Sequence, residues 1–311
     1  MKPDFVSKNK IFYTLSISLM VLTVIFTFLF GLNLDIQFKG GSIISYSYSG
    51  ELNTDDVQTV AENTLGEQVA VQGKTDVATG NSAIDISLGA ERGLSLDEID
   101  GLTAALQEAY PDNSISMTDS NNVDPTIGRE FFAKCMVAVA FAVVLMIIFI
   151  AFRFRKIGGL SAGVMCMLAL LHDMIMVYAT FVVCRFPINE NFIVAVLTIL
   201  GYSINNTIVV YDRIRENKRL SGSKMSIREL VNLSIGQSVT RAVNTTVATV
   251  IALSVICVVA LIYSVESIMS FAFPMMIGMI SGVYTSLFIA PTLWVVWQEH
   301  KLKKKTQVEA A

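Results

Sequence analysis

Charged side chains are scarce in this chain. They make up 16% of the 311 residues, whereas a typical soluble domain carries about 25%. Hydrophobic residues make up 53%, and the mean hydropathy is +0.58. A medium other than water must therefore solvate much of the surface, which excludes an ordinary water-soluble globular protein.

Cysteine and histidine are also rare, with four and two residues. The four cysteines lie in or beside apolar segments, and their spacing fits neither a disulfide framework nor a metal site. We interpret them as small apolar residues packed among helices. The polar segment 32–130 contains no Cys, no His and no nucleophile motif. We therefore predict no enzyme activity, no metal and no cofactor.

The charges that are present are segregated along the chain. From Asp35 to Glu130 there are 17 acidic and 4 basic residues, whereas the rest of the chain has 9 acidic and 19 basic residues. A split of this size indicates two environments for one chain.

Six apolar segments are long enough to cross a bilayer, which takes about 20 residues. The first is too long for a signal peptide and is followed by no small-residue cleavage site, so we interpret it as an uncleaved span. We predict an all-α membrane bundle of six transmembrane helices, with an α+β domain at 32–130 inserted between spans one and two. The predicted spans are 11–31, 131–152, 157–183, 188–211, 237–263 and 268–296.

Lysine and arginine alternate between the loops. They are concentrated before span one, between spans two and three, between spans four and five, and after span six. Because cytoplasmic loops carry such an excess, we predict that segment 1–10 and the basic tail 297–311 lie in the cytoplasm. The acidic domain would then lie on the other side of the membrane.

The acidic domain has the order of elements β-α-β-β-α-β, which is typical of a ferredoxin-like fold. Asn53 or Thr54 is predicted to cap the first helix, and Ser95 with Glu98 forms a candidate capping box for the second. The predicted strands are 43–49, 69–74, 83–88 and 114–119, and the predicted helices are 55–65 and 96–110.

Polar residues inside the predicted spans are expensive, at about 2.5–3.5 kcal/mol for an ionisable group. We predict a polar seam between spans four and five, joined by span three, in which one set of side chains couples to ions and another contacts a partner. Ser238, Arg241, Thr245 and Thr249 share one helical stripe. The predicted ion-coupling residues are Arg241, Asn206, Asp173, His172 and Asp212, and the predicted partner contacts are Asn205, Ser203 and Thr245.

Structural roles remain open for several of these residues. His172 and Asp173 also fit a hydrogen-bonded pair that holds two helices together. Arg241 also fits a side chain that reaches the cytoplasmic interface. Asp212 also fits an interfacial position, and Asn206 a hydrogen bond between helices.

The segment 201–217, GYSINNTIVVYDRIREN, resembles the fourth-span signature GYSxND[ST]xVVxDRIREN of the SecF branch of the SecD/SecF family. Phe38-Lys39-Gly40-Gly41 is similar to the FxGG segment that follows span one in that family. Two further segments resemble the pattern of that family. They are Leu171-His172-Asp173 in span three and the segment 241–246, RAVNTT, at the start of span five. The resemblance extends over nearly the whole chain.

This resemblance implies a subunit of the Sec protein translocase and of the RND superfamily. The implied partners are a SecD-like subunit, the SecY/SecE/SecG channel, a YajC-like small subunit and unfolded exported polypeptides, with no nucleic acid. Energy would come from the proton or sodium motive force, after the step driven by SecA. This chain has no P-loop sequence, which agrees with the use of ATP by SecA rather than by this subunit.

The chain departs from the family pattern at Asn206, where the signature has Asp. An amide does not take up and release a proton as a titrating group near neutral pH. The ion relay that the resemblance implies is therefore expected to use an Asp of the partner facing Arg241. Asp173 is a second candidate carrier. The alternatives are one half of an RND-type small-molecule or lipid transporter, and an ion-uncoupled structural subunit of the export complex.

Overall fold

A computed structural model describes residues 4–75, 82–89, 93–155, 158–222, 224–263 and 265–309. Ten α-helices and four strands occur in these ranges. The last two helices are joined by a π-helical segment, Thr285–Ile289. In chain order the elements are α1 (Asn9–Phe30), α2 (Ile36–Lys39), β1 (Gly41–Tyr48), α3 (Thr54–Leu65), β2 (Val69–Thr75), β3 (Ser82–Leu88), α4 (Leu96–Ala109), β4 (Ser116–Val123), α5 (Pro125–Arg153), α6 (Gly159–Cys184), α7 (Glu190–Ser221), α8 (Ile227–Ile262), α9 (Glu266–Tyr284) and α10 (Ala290–Glu309).

Six helical stretches of the described chain are long and apolar enough to cross a membrane. Five are single helices, namely α1, α5, α6, α7 and α8, and the sixth runs through α9, the π segment and α10. The chain is therefore a multi-pass membrane protein. Helix α7 continues about ten residues beyond the predicted end of span four, because the polar segment after Tyr211 is also rich in residues that favour helix.

Helices α6, α7 and α9 form the centre of the bundle. In the most apolar windows of α6, α7 and the last stretch, 56%, 56% and 61% of residues are buried, against 11%, 11% and 22% in α1, α5 and α8. The outward faces of these last three helices carry large apolar side chains such as Phe28, Ile148 and Val255. Such faces are expected to contact lipid or a partner subunit rather than water.

The polar domain between α1 and α5 is a four-stranded antiparallel sheet with the strand order β2-β3-β1-β4. Its core is built from alternating residues of β1 and β3 and from α4, with Ile44, Tyr46, Ile84, Ile86 and Leu102 almost fully buried. Helices α3 and α4 pack against each other, and α3 covers β2.

The predicted helix starts in this domain are confirmed. The Asn53 side chain accepts a hydrogen bond from the backbone of Asp55. Ser95 and Glu98 form the reciprocal capping box. Two strands differ clearly from their predicted bounds: β1 runs over Gly41–Tyr48 rather than 43–49, and β4 runs over Ser116–Val123 rather than 114–119. Ser114 adopts a left-handed conformation, with φ at 46°, and ends the preceding turn.

Two glycines connect the domain to the bundle. Gly40 and Gly41 have φ angles of 84° and 129°. A Cβ atom on Gly40 would lie 2.4 Å from the backbone of Pro125, and one on Gly41 would lie 2.4 Å from the carbonyl oxygen of Leu88. Glycine is therefore required at both positions, because only it allows this backbone and this close approach.

The two ends of the chain meet at the same end of the bundle. The Asn232 side chain of α8 accepts hydrogen bonds from the backbone N–H groups of Phe5 and Val6. Nearby, Arg228 of α8 donates to Glu299 of α10, with the Nη2–Oε2 distance at 2.7 Å. These contacts tie the start of the chain, α8 and α10 together.

The Arg228–Glu299 pair predicts a small pH dependence of stability. Arg228 donates to both carboxylate oxygens of Glu299, so the pair stabilises the fold at neutral pH and loses its effect once acid protonates the carboxylate. Because Arg228 is half exposed, the contribution is about 0.5 kcal/mol. Thermal unfolding of Glu299→Gln should show a slightly lower midpoint than wild type at pH 7 and no difference in acid. An equal difference at both pH values would contradict this.

Candidate functional site in the membrane

Asp173 of α6 is fully buried and lies at the centre of a cluster of hydroxyl groups. Its Oδ2 accepts a hydrogen bond from Ser203 of α7, and its Oδ1 accepts one from Ser281 of α9, both at 2.6 Å. The Thr285 hydroxyl lies 3.0 and 2.9 Å from the two carboxylate oxygens. Distances of 2.6 Å are typical of hydroxyl groups that donate to an ionised carboxylate.

His172 adds a second titratable group beside this carboxylate. Its Nδ1 lies 3.2 Å from the Ser281 hydroxyl and 3.7 Å from Oδ1 of Asp173. Its Nε2 is buried and has no hydrogen-bond partner among the described residues. The His172 ring lies beside the ring of Tyr284, with the centroids 6.1 Å apart.

Further hydroxyl groups extend the cluster along α7. The Ser286 hydroxyl donates to the backbone oxygen of Ser203 at 3.0 Å. The Thr207 hydroxyl donates to Ser286 Oγ at 2.8 Å. Ser203 and Thr207 are four residues apart and therefore share a face of α7. The result is a continuous set of polar contacts between α6, α7 and the last membrane-crossing stretch.

The local backbone explains why Thr285 and Ser286 point into this cluster. They begin the π segment, and the N–H of Ala290 donates to the carbonyl of Thr285 five residues earlier. Pro291 follows directly and cannot donate a backbone hydrogen bond. Proline at this position is a common cause of an irregular helical turn.

Span six also contributes to this cluster, which was not predicted from the sequence. Ser281, Thr285 and Ser286 supply three of the hydroxyl groups around Asp173 and Ser203. A signal was present, because four hydroxyl residues lie within the six positions 281–286 of a span without charged residues, and Ser281 and Thr285 are four residues apart. The predicted seam between spans four and five thus differs from the observed cluster, which joins spans three, four and six.

Contacts between spans four and five do exist, but they are separate from Asp173. The Tyr202 and Thr246 hydroxyls lie 2.8 Å apart, and the Asn217 amide donates to Ser234 and Gln237 at 2.9 Å. These contacts hold α7 against α8.

Arg241 lies on the exposed face of α8. It lines a pocket of about 210 Å³ between α7 and α8, together with Asp212, Arg213, Glu216 and Gln237. Asp212 itself forms ion pairs with Arg153 at 2.8 Å and with Arg215 at 3.0 Å. The structure therefore brings Arg241 and Asp212 to one pocket and places His172 and Asp173 elsewhere.

Asn206 is buried, with 7% of its surface exposed. Its Nδ2 has no hydrogen-bond partner among the residues that the structure describes. An unsatisfied buried amide nitrogen costs about 1–3 kcal/mol. Asn206 thus marks a second polar position on α7, three residues from Ser203.

The three predicted partner contacts divide into two groups. Asn205 and Thr245 are exposed on the surfaces of α7 and α8, where another chain can reach them. Ser203 is fully buried and donates to Asp173. This position corrects the prediction for Ser203, because a side chain without exposed surface does not contact a partner.

The described chain is a polytopic membrane protein with six membrane-crossing stretches and a polar domain between the first two. It also holds ionisable groups inside the bundle, since a buried His–Asp pair lies at the centre. Such groups mark ion or substrate pathways in many membrane proteins.

Comparisons with known proteins give the family. Residues 102–300 match the family "Protein export membrane protein SecD/SecF, C-terminal". The chain is 33% identical to the protein translocase subunit SecF of Alicyclobacillus acidocaldarius, over 100% of this chain and 98% of that protein. It is 32% identical to the protein translocase subunit SecDF of Bacillus subtilis, over 97% of this chain. The chain belongs to the SecD/SecF family of protein export membrane proteins.

A solved structure is similar over the same range. The crystal structure of SecDF from Thermus thermophilus, a translocon-associated membrane protein, matches 96% of this chain with a TM-score of 0.77 and 25% sequence identity. This chain spans 39% of that structure and 39% of the Bacillus subtilis SecDF. It therefore corresponds to less than half of the fused proteins and to nearly the full length of the SecF relative.

Proposed function

We propose that this chain is the SecF-type subunit of an accessory complex that assists protein export across the bacterial cell membrane. The observation that carries the proposal is similarity over 100% of this chain and 98% of a protein translocase subunit SecF. The signature in segment 201–217 lies on α7, beside the buried cluster. Unfolded exported polypeptides are the proposed substrate, and the proton or sodium motive force is the proposed source of energy.

A SecD-like subunit is the proposed direct partner. The SecDF relative carries this chain's counterpart in 39% of its length, which leaves room for a second half of similar architecture. The exposed polar residues Asn205, Arg241 and Thr245 on α7 and α8 suit a contact inside the bilayer, since polar residues in spans rarely face lipid. The SecY/SecE/SecG channel and a YajC-like subunit are proposed as further partners.

The proposed orientation places both termini in the cytoplasm and residues 32–130 outside it. The alternation of basic loops supports this arrangement. We also propose that the polar domain is ferredoxin-like. The sheet order β2-β3-β1-β4 and the chain order β-α-β-β-α-β support that assignment.

The proposal is tested by purification and depletion. An affinity-tagged full chain, extracted in a mild detergent, is expected to co-purify with a SecD-like subunit and SecY. The molar ratio of these proteins to the tagged chain should not change on further washing. Depletion of the chain should make exported precursors accumulate in the cytoplasm. Recovery of the chain alone, together with undisturbed export after depletion, would show that the proposal is wrong.

The buried Asn206 favours one variant of this function, in which the subunit supports export without carrying ions at that position. Asn206→Asp then gives a direct prediction. Export by inverted vesicles is measured with and without an imposed proton gradient. The stimulation by the gradient should stay within about twofold of wild type in Asn206→Asp, since the proposed ion pathway does not use this position. A matched Asn244→Asp on the exposed face of α8 controls for added charge. A gain of several-fold restricted to Asn206→Asp would contradict the prediction.

A further inference from the structure

A cleft of about 510 Å³ lies where the polar domain joins the membrane helices, between α2 and the first two turns of α5. Two cationic side chains line it, Lys39 of α2 and Arg129 of α5, and both are exposed. The apolar side chains of Leu34, Phe38 and Phe132 line the same space. We call these five residues the interfacial cleft. It presents two positive charges beside an apolar wall.

The two cations of the interfacial cleft lie in a segment that is otherwise strongly acidic. Segment 35–130 holds 17 acidic and 4 basic residues, and two of the four bases line this one cleft. In the described part of the chain neither Lys39 nor Arg129 forms a salt bridge. The cleft is therefore a local positive site that is suited to an anion.

The acidic residues that flank Arg129 in the sequence do not take up its charge. The Asp124 carboxylate caps α5 and accepts a hydrogen bond from the backbone N–H of Thr126 at 2.7 Å. Glu130 pairs with Lys134 at 2.9 Å, one turn further along the helix. Both carboxylates thus have partners of their own, and the Arg129 guanidinium remains available to a ligand in the cleft.

The interfacial cleft lies at the depth of phospholipid headgroups. Helix α5 has no charged residue between Lys134 and Arg153, a stretch long enough to cross the hydrocarbon core. Arg129 precedes Lys134 by five residues, which is about 7–8 Å along a helix at 1.5 Å per residue. The headgroup region extends about 5–8 Å beyond the hydrocarbon core on each side. The two lengths agree, so Arg129 lies where lipid phosphates lie.

The apolar wall of the cleft continues towards the membrane. The buried Phe38 ring packs against Phe131 and Phe132 of α5, with the ring centroids 5.7 and 5.0 Å apart. Further along α5, Val137 and Phe141 expose most of their surface. An acyl chain that starts at the cleft can therefore continue along α5 within the membrane.

We propose that the interfacial cleft binds a phospholipid, with the lipid phosphate between Lys39 and Arg129 and the acyl chains along the apolar wall and α5. A guanidinium group binds phosphate oxygens in pairs, and a lysine adds a point charge. Arg129 Nε donates to the backbone oxygen of Pro125 at 3.2 Å, which uses one of the five N–H donors of the guanidinium and holds it beside the cleft. A free phosphate ion would use the two charges but not the apolar wall. Binding of the lipid does not depend on the proposed export function.

A lipid at this position joins the two connections between the polar domain and the bundle. Lys39 directly precedes Gly40, at the point where the chain enters the domain, and Arg129 lies one turn after Pro125, where the chain leaves it. Gly40 and Pro125 are already in close contact. A phosphate held by both cations bridges α2 and α5 at this contact and so stabilises the junction.

Native mass spectrometry of the full chain, freed of lipid in detergent, tests this binding. The chain is titrated with phosphatidylglycerol and, separately, with a diacylglycerol that has the same acyl chains but no phosphate. We expect phosphatidylglycerol to bind at least about tenfold more tightly than the diacylglycerol. The double variant with Lys39→Gln and Arg129→Gln should lose about tenfold or more in affinity for phosphatidylglycerol, because each cation contributes about fivefold.

Arg185→Gln is the matched control. Arg185 is exposed beyond the end of α6, on the same side of the bundle, since Leu34 beside the cleft pairs with Ile188. This variant should bind phosphatidylglycerol as wild type does. If the double variant fails to fold, Lys39→Gln alone should still lose about fivefold in affinity.

Four results would overturn the proposal. The first is equal affinity for the two lipids, and the second is an equal loss in Arg185→Gln, because each would show that the cleft does not select a phosphate. The third is displacement of phosphatidylglycerol by inorganic phosphate at a similar concentration, which would identify a free anion as the ligand. The fourth is a double variant that binds lipid normally but no longer co-purifies with a SecD-like subunit, which would identify the cleft as a protein contact. Failure of export in cells with lipid binding intact would instead count against the proposed function.

Discussion

Arg241→Leu is expected to lower the export rate in inverted vesicles at least tenfold while leaving the unfolding temperature of the isolated chain within a few degrees of wild type. The guanidinium is exposed on α8 and lines the pocket beside α7. Its loss therefore opens no cavity in the core of this chain. In the proposed complex the same group faces an acid of the SecD-like subunit, and breaking a buried ion pair costs about 3–5 kcal/mol.

Two variants separate this effect from a general loss of positive charge. Arg241→Lys keeps the charge and should retain part of the activity, although lysine lacks the planar fork of arginine. Arg219→Leu removes an exposed arginine near the end of α7 and should export normally. Co-purification of the SecD-like subunit is measured in parallel. Full export by Arg241→Leu, or equal loss in Arg219→Leu, would rule out a specific pairing at this position.

Much of the polar domain was predictable because its signals are local. The capping residues Asn53 and Ser95 set the starts of α3 and α4 through contacts within three residues. The alternation in β3 follows from one buried face. Strand β4 lacks that alternation, since seven of its eight residues are exposed. Its end at Val123 depends on pairing with Gly41 of β1, which local sequence does not reveal.

The candidate site was predictable as a set of residues but not as an arrangement. The cost of ionisable groups in lipid singles out His172, Asp173 and Arg241 from the sequence. Which of them meet depends on how the helices pack, and α6, α7 and α9 form the centre. Hydroxyl residues carry little cost of insertion, so Ser281 and Thr285 were not singled out although they bind Asp173. The π segment also arises from packing and Pro291 together.

Asp173→Leu is expected to destabilise the chain by at least about 2 kcal/mol, because Ser203, Ser281 and Thr285 each lose the acceptor of a hydrogen bond in the buried interior of the bundle. A buried donor left without a partner costs about 1–3 kcal/mol. Thr285 also lies 3.3 Å from the carbonyl of Gly282 and is partly compensated, so two hydroxyl groups carry most of the loss.

Removing a buried charge stabilises a protein and so opposes the loss of hydrogen bonds. The leucine and asparagine variants are therefore expected to differ in stability. Because three hydroxyl groups already hydrogen-bond to the Asp173 carboxylate, the leucine variant gains little from losing the charge and the hydrogen-bond loss dominates. Asp173→Asn keeps one acceptor oxygen, so its thermal unfolding midpoint should fall much less than that of Asp173→Leu. Thr198→Leu, at an exposed hydroxyl on α7, should change it little. A leucine variant as stable as wild type would mean that the carboxylate is an uncompensated charge whose cost equals the value of its hydrogen bonds.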